Sequence, residues 1–310
     1  MSVPKGSICE LIPVDRNSTF SGEGLSFAIG FFDGVHFGHR FLIKEAEKSS
    51  FPCCVLTFSD DFKSSLAGKK PELLTTRKEK VFLLSSLGVK KVFYLPYSPK
   101  VVHSSVDGFL DLLTSLKAKK IVVGQDFSFA DKARGKAEDL LRRRKRGCEV
   151  SILGLKGVKY KGREEKISST LIKQRIADKD IAEADSLLVS PYQRSGIVIK
   201  GKENGRKINF PTANILQEEN KVLPPIGVYR TRTVIDGQIY DSRTNIGTHP
   251  TIDEAGENII ETNVFGFSGN LYGKTITVDF LSYLREQKKF DSRESLRENL
   301  LRLKRKILGK

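Results

Sequence analysis

Two hydrophobic rhythms divide the chain. Up to about residue 185, short apolar runs alternate with amphipathic stretches. Phe27-Ala28-Ile29-Gly30-Phe31, Cys53 to Phe58, Val92 to Leu95, Ile121-Val122-Val123 and Val150-Ser151-Ile152-Leu153 carry few polar positions, the mark of strands buried on both faces. The clearest helix between them starts at Thr76, with Glu79 three residues on as a capping box. Val81, Leu84 and Leu87 are its core positions, and Gly88 supplies the stop. Strand-helix-strand alternation predicts a doubly wound parallel sheet, in which ligands bind beyond the carboxyl ends of the strands.

From about Ser190 the rhythm shortens. Ser195 to Ile199, Val228 to Ile235, Ile239 to Ile246, Ile259 to Phe265 and Lys274 to Leu281 are strand-like and joined by Gly, Asn and Asp turns. Asp236-Gly237 between two of them is a hairpin signal. Short strands with this punctuation predict a small antiparallel barrel. A helix from Asp291 closes the chain, with Leu296, Leu300, Leu303 and Ile307 on one face. The expected fold class is therefore α/β, with a sheet domain over 1–185 and a barrel domain with a terminal helix over 186–310. No repeat or low-complexity linker separates them.

Composition adds little to this picture. Of 310 residues, 39% are hydrophobic and 29% charged, enough for two ordinary cores. No apolar run reaches the roughly 18 residues of a membrane span, and no secretory leader is recognisable. Cys9, Cys53, Cys54 and Cys148 form no C-x-x-C pair, and the adjacent two point to opposite faces of a strand. Buried reduced thiols and a cytoplasmic location are expected. The net charge of +16 fits either a nucleic-acid binder or an enzyme of anionic substrates. No tryptophan and no RNA-binding module are present, so no nucleic acid is expected as partner. The run Arg142 to Arg146 before Gly147 reads as the basic last turn of a helix.

Candidate chemistry concentrates in two places. In the first half, Gly30, Phe32, Asp33, Gly34, His36, Gly38 and His39 follow the first strand and lead into a helix. A strand-to-helix turn points backbone N–H groups and the helix dipole at an anion. Histidines three apart can donate to a phosphate whose charge grows in the transition state. H-x-G-H in this setting resembles the nucleotidylyltransferase superfamily, and the longer string Ile29 to His39 resembles its flavin-specific branch. Lys166-Ile167-Ser168-Ser169-Thr170-Leu171-Ile172-Lys173 resembles the superfamily's second element, I-S-S-T-x-I-R. Lys173 stands where Arg is usual and keeps the charge without the bidentate fork. Leu74-Thr75-Thr76 with Lys80, and Leu87-Gly88-Val89, also match in order. Asp126, Phe127 and Phe129 would belong to the flavin pocket. Ser59-Asp60-Asp61-Phe62 replaces a Pro-His-Pro-like turn.

In the second half, Gly201, Gly205, Arg206, Pro211, Thr212, Ala213 and Asn214 join a Gly-rich loop to Pro-Thr-Ala-Asn. Glycines let N–H groups approach phosphate, and the Thr212 and Asn214 oxygens suit Mg²⁺. The string resembles the riboflavin kinase motif. Gly227-Val228-Tyr229, Asn245 to Thr251, Leu271-Tyr272-Gly273 and Lys289 to Ser292 follow in that family's order. The resemblance assigns the general base to Glu261. Asn263 stands where the family more often has His, and Gly266 where it has Asp.

Together these features resemble bifunctional riboflavin kinase/FAD synthetases over nearly the whole chain. The resemblance implies phosphorylation of riboflavin to FMN and adenylylation of FMN to FAD, with ATP and Mg²⁺ and no membrane partner. His36 and His39 would stabilise the phosphorus centre. The alternatives are an FAD synthetase with an impaired kinase half, and a basic RNA-binding or scaffold protein on the same fold.

Overall fold

The first rhythm folds into a parallel sheet in the computed structural model of the protein. The structure describes residues 9–309 apart from 16, 60–71, 98–103, 155, 201–209, 217–219, 249–257 and 289. Strands Glu10–Pro13 (β1), Leu25–Ile29 (β2), Cys53–Phe58 (β3), Lys91–Leu95 (β4) and Ala118–Gly124 (β5) come first. Ser128–Phe129 (β6) and Gly135–Lys136 (β7) form a short antiparallel ribbon, and Glu149–Leu153 (β8) completes the sheet. The order is β1-β4-β3-β2-β5-β8 and the pairings are parallel. β2 and β3 are buried along their whole length, as strands covered on both faces must be.

Helices Phe37–Ala46 (α1), Arg77–Ser86 (α2), Val106–Ser115 (α3) and Ala137–Arg143 (α4) connect the strands. α2 starts as its sequence predicts. Thr76 Oγ1 accepts the Glu79 N–H at 3.3 Å, and the Glu79 carboxylate accepts the Thr76 N–H at 2.8 Å. Gly88 follows at φ +89°. Leu83 takes the buried place expected of Leu87, which caps the helix half-buried. α4 stops at Arg143, so the basic run crosses the helix end instead of forming its last turn. Arg143 pairs with Asp107 and Lys145 with Asp111, both at the surface, where such pairs contribute little. All four cysteines are free; Cys148 is half-exposed and the others are buried.

From β2 the chain runs outward through β3 and β4, then returns to the other side of β2 for β5 and β8. The strand order therefore reverses between β2 and β5, and a crevice opens beyond their carboxyl ends. Beneath it, Phe27 packs edge-on against Phe93 at 5.2 Å among Ile29, Leu56 and Val123. A hairpin of Gly157–Tyr160 (β9) and Arg163–Lys166 (β10) precedes helix Ser169–Ala177 (α5). The chain divides into compact units between Leu171 and Ile172.

The second unit carries helix Ile181–Leu187 (α6) and a barrel. Its strands are Gln193–Ile199 (β11), Ala213–Ile215 (β12), Gly227–Ile235 (β13), Gln238–Thr248 (β14), Asn258–Val264 (β15) and Thr275–Arg285 (β16). They close in the order β11-β12-β15-β14-β13-β16 with antiparallel pairing. Asp236 and Gly237 turn the β13–β14 hairpin at φ +49° and +82°, as a type I′ turn requires. The sequence pattern misses β12, because three residues are too few to show alternation. Inside, Ile215, Ile260 and Ile246 form one layer. Beside them Thr231 bonds Ser242 at 2.7 Å and Thr244 at 2.9 Å, and Thr244 bonds Thr262. These fully buried hydroxyls satisfy one another. The terminal helix Arg293–Leu308 (α7) buries Leu300, Leu303 and Ile307, with Leu296 half-buried.

Candidate active sites

At the β2–β5 switch point a cavity of about 770 Å³ opens. Gly30, His36, Gly38, His39, Asp126, Phe127, Phe129, Ser168, Ser169 and Thr170 line it. Two segments more than a hundred residues apart in sequence thus meet, as the paired motifs predict. Phe32, Asp33 and Gly34 lie outside that lining and hold the turn from behind. The Asp33 carboxylate accepts the N–H groups of Leu74 and Thr75 at 2.8 and 3.3 Å. Gly34 gives its N–H to Thr75 Oγ1 at 3.0 Å, and Ser169 donates its hydroxyl to the Asp33 carbonyl at 2.8 Å. Phe32 packs its ring 4.8 Å from that of His39.

The turn stores strain. Phe32 and the β-branched Val35 sit at φ +54° and +43°, conformations costing about 1–3 kcal/mol each and found where a site dictates backbone shape. Across the cavity Ala130, Lys132 and Ala133 also have positive φ, and all three are lining residues.

His36 is the N-cap of α1, and the two histidines cap one another. The His39 N–H donates to His36 Nδ1 at 3.3 Å, and the His36 N–H to His39 Nδ1 at 3.2 Å. Their rings stack at 3.5 Å. Burial pushes His36 down to about 4; Asp33 opposes the shift and Lys166 adds to it. The ring is therefore neutral at pH 7. With Nδ1 accepting, its proton resides on Nε2. A Cβ on Gly38 would lie 3.0 Å from His36 Cε1 and Nδ1, so the glycine makes room for the ring.

Phe127 stacks on Phe129 at 5.7 Å, and Phe129 packs on Phe109 at 4.7 Å, so an aromatic wall faces the cavity. Gly135 lets the Phe129 ring lie flat, since a Cβ there would meet it at 2.7 Å. Asp126 pairs with Lys166, and Lys156 covers the Phe41 ring at 4.1 Å. Lys156 and Lys166 line the cavity. Lys166 opens the string that runs to Lys173 without a role of its own there, and Lys156, just before the β9–β10 hairpin, belongs to no local motif. Ser168 accepts the Leu171 N–H at 3.2 Å at the start of α5. Lys173 stands further along that helix, half-buried.

In the barrel, Glu261 on β15 faces Asn214 on β12 and Asn245 on β14 in register. The three share the face turned away from the hydroxyl ladder. Glu261 is half-buried and Asn214 buried. Asn245 accepts a hydrogen bond from Gln287 at 3.1 Å. Asn263 donates its amide to the Pro211 carbonyl at 2.6 Å and so fixes the start of Pro-Thr-Ala-Asn. Thr212 is half-buried just before β12. Gly266 adopts φ +76° after β15, a conformation glycine takes without strain. Gly201, Gly205, Arg206 and the 60–62 part of the Ser59 loop lie outside the described residues.

Residues 20–171 match the family model for FAD synthetase, and residues 188–306 match that for riboflavin kinase. A Listeria monocytogenes protein described as bifunctional riboflavin kinase/FMN adenylyltransferase is 32% identical over 276 residues, covering 87% of each chain. An Escherichia coli K12 protein of the same description is 33% identical over 288 residues, covering 90% of each. A Streptococcus pneumoniae crystal structure described as a macrolide-efflux protein superposes with a TM-score of 0.85 at 31% identity, over 94% of this chain and 96% of its own. Among the described residues of this chain, no helix is long and apolar enough to cross a membrane. With both models matched and relatives similar along nearly their whole length, this chain belongs to the bifunctional riboflavin kinase/FMN adenylyltransferase family.

Proposed function

We propose that the chain phosphorylates riboflavin to FMN in residues 186–310 and adenylylates FMN to FAD in residues 1–185, each step consuming one ATP. The observation that carries this reading is the placement of His36, His39 and the Ser168–Thr170 segment around one cavity with the Phe127–Phe129 wall. Its volume lies in the range of ligand pockets, with phosphate-binding groups at one side and an aromatic surface for a flavin at another.

In the first reaction site, an FMN phosphate oxygen attacks the α-phosphorus of ATP. The bond from that phosphorus to the pyrophosphate oxygen breaks, and pyrophosphate leaves. His36 presents its Nε2–H as a neutral donor, and the His39 ring is stacked on it. Both would stabilise charge on the non-bridging oxygens. No covalent enzyme intermediate is needed, because positioning and charge stabilisation suffice.

In the barrel, Glu261 takes the proton of the ribityl 5′-hydroxyl as its oxygen bonds the γ-phosphorus and ADP departs. The donors near it are oxygen-rich: the Thr212 hydroxyl, the Asn214 amide and the Glu261 carboxylate. This set fits Mg²⁺, which binds few protein ligands beside nucleotide phosphates. Thr212 and Asn214 would hold the ion, and its chemistry is to neutralise phosphate charge. Four free thiols support a cytoplasmic location.

The test is to incubate the pure protein with riboflavin, ATP and Mg²⁺ and separate the flavins. FMN followed by FAD is expected. FAD formed only from supplied FMN would leave the adenylyltransferase alone, and no conversion at all would overturn the reading.

A further inference from the structure

Arg243 on β14 stands opposite Asn263 on β15, two positions along from the Asn245–Glu261 pair. Residues two apart on a strand share a face, so Arg243 lies on the same side of the barrel wall as Glu261 and Asn214. The side chain is 9% exposed, and its Nε has no hydrogen-bond partner. Among the described residues, no carboxylate lies within ion-pair distance of it. Burial holds this guanidinium down to about 10; Arg285 repels it and Glu261 attracts it. Its neighbour Asn263, 3% exposed, donates one amide hydrogen to the Pro211 carbonyl, while Oδ1 has no partner.

Such an arrangement is costly. A buried cation ordinarily has a carboxylate against it, and a second arginine nearby makes matters worse. An anion placed against the guanidinium would relieve both costs. The planar fork of arginine matches phosphate oxygens, and the residue expected to open the acceptor hydroxyl is a diagonal neighbour. We propose that Arg243 is an anion-binding side chain of the barrel site, gripping the phosphoryl group during its passage from ATP to the ribityl hydroxyl. The proposal rests on the kinase reading of Glu261. In that step the hydroxyl oxygen bonds the γ-phosphorus, the bond to the bridging oxygen of ADP breaks, and the proton goes to Glu261. The charge on the transferred group faces Arg243.

The experiment uses the full chain and the Arg243→Met variant, which keeps the apolar stem and removes the charge. FMN formation should lose about 100-fold in turnover, with the KM for riboflavin within about threefold of the parent. The melting temperature of the variant should equal or exceed that of the parent, because a buried unpaired charge has gone. Methylguanidinium added to Arg243→Ala should restore part of the turnover, which a purely structural role would not allow. Parental turnover in Arg243→Met would overturn the proposal. So would a change confined to the KM for riboflavin, which would put the side chain against the flavin ring. A variant that melts lower or does not fold would also overturn it, by showing that the charge serves the barrel. Glu261→Gln run in parallel keeps the two readings apart. An active Glu261→Gln beside an inactive Arg243→Met removes the base and leaves the anion site, and the reverse removes Arg243 alone.

Discussion

His36 and His39 hold each other in place: each ring Nδ1 accepts the backbone N–H of the other, at 3.3 and 3.2 Å. The pair thus caps α1 at the wall of the cavity that both residues line.

The burial of His36 has a pH signature. Its pKa falls from 6.5 to about 4, chiefly through desolvation. Between those values an unfolded chain binds a proton that the folded chain refuses, so stability rises with pH across this window. It is fully present above 6.5 and lost toward 4, by about 3 kcal/mol for this group. His36→Asn keeps a capping acceptor without the titration. Urea unfolding of parent and variant at pH 4.5 and 7 should show a flatter dependence in the variant. Equal dependences would contradict the neutral, buried imidazole.

Gly38 is predicted to be intolerant of even one methyl group. A Cβ would press on the His36 ring at 3.0 Å and displace a donor edge. Loss of one such donor costs about 10²–10³ in turnover. Gly38→Ala should therefore lose FAD synthesis from FMN by about that factor and keep FMN formation from riboflavin. Undiminished FAD synthesis would mean that the ring position does not matter.

Much of this was legible before any coordinates. The motifs around His36 and Ser169 are legible because each announces a local turn into a helix, and one cavity unites the two segments. Thr76 and Glu79 mark α2 because a capping box is local chemistry. What escaped is what depends on distant pairing. β12 closes the barrel with three residues, and its register alone sets Asn214 beside Glu261. The Asp33 link to Leu74 and Thr75 spans about forty residues and leaves no periodic trace. Phe32 and Gly34 read as ligand-facing residues in the motif, yet their burial or hydrogen bonding serves the turn.

Asn263 clamps the start of Pro-Thr-Ala-Asn. Its amide donates to the Pro211 carbonyl at 2.6 Å in a buried setting. Asn263→Leu would leave that carbonyl unpaired, at a cost of about 1–3 kcal/mol. Thermal unfolding should show this loss in the barrel transition, and FMN formation should fall because Pro-Thr-Ala-Asn is no longer held. Asn263→His, which can still donate, should retain more of both. Unchanged stability in Asn263→Leu would show that the clamp carries no weight.

If two sites, each with its own residues, carry the two successive reactions, two defective variants should complement one another, and that measurement is the most direct. Glu261→Gln cannot accept the ribityl proton, so FMN formation should fall about 10²–10⁴-fold while FAD synthesis from supplied FMN persists. His39→Ala should show the inverse pattern, accumulating FMN from riboflavin without FAD. Neither variant alone, given riboflavin, ATP and Mg²⁺, should make FAD at the parental rate. Mixed in one tube, they should make it, because FMN released by one is substrate for the other. If either variant loses both steps while folded, or the mixture makes no FAD, the two reactions do not run on separate sites.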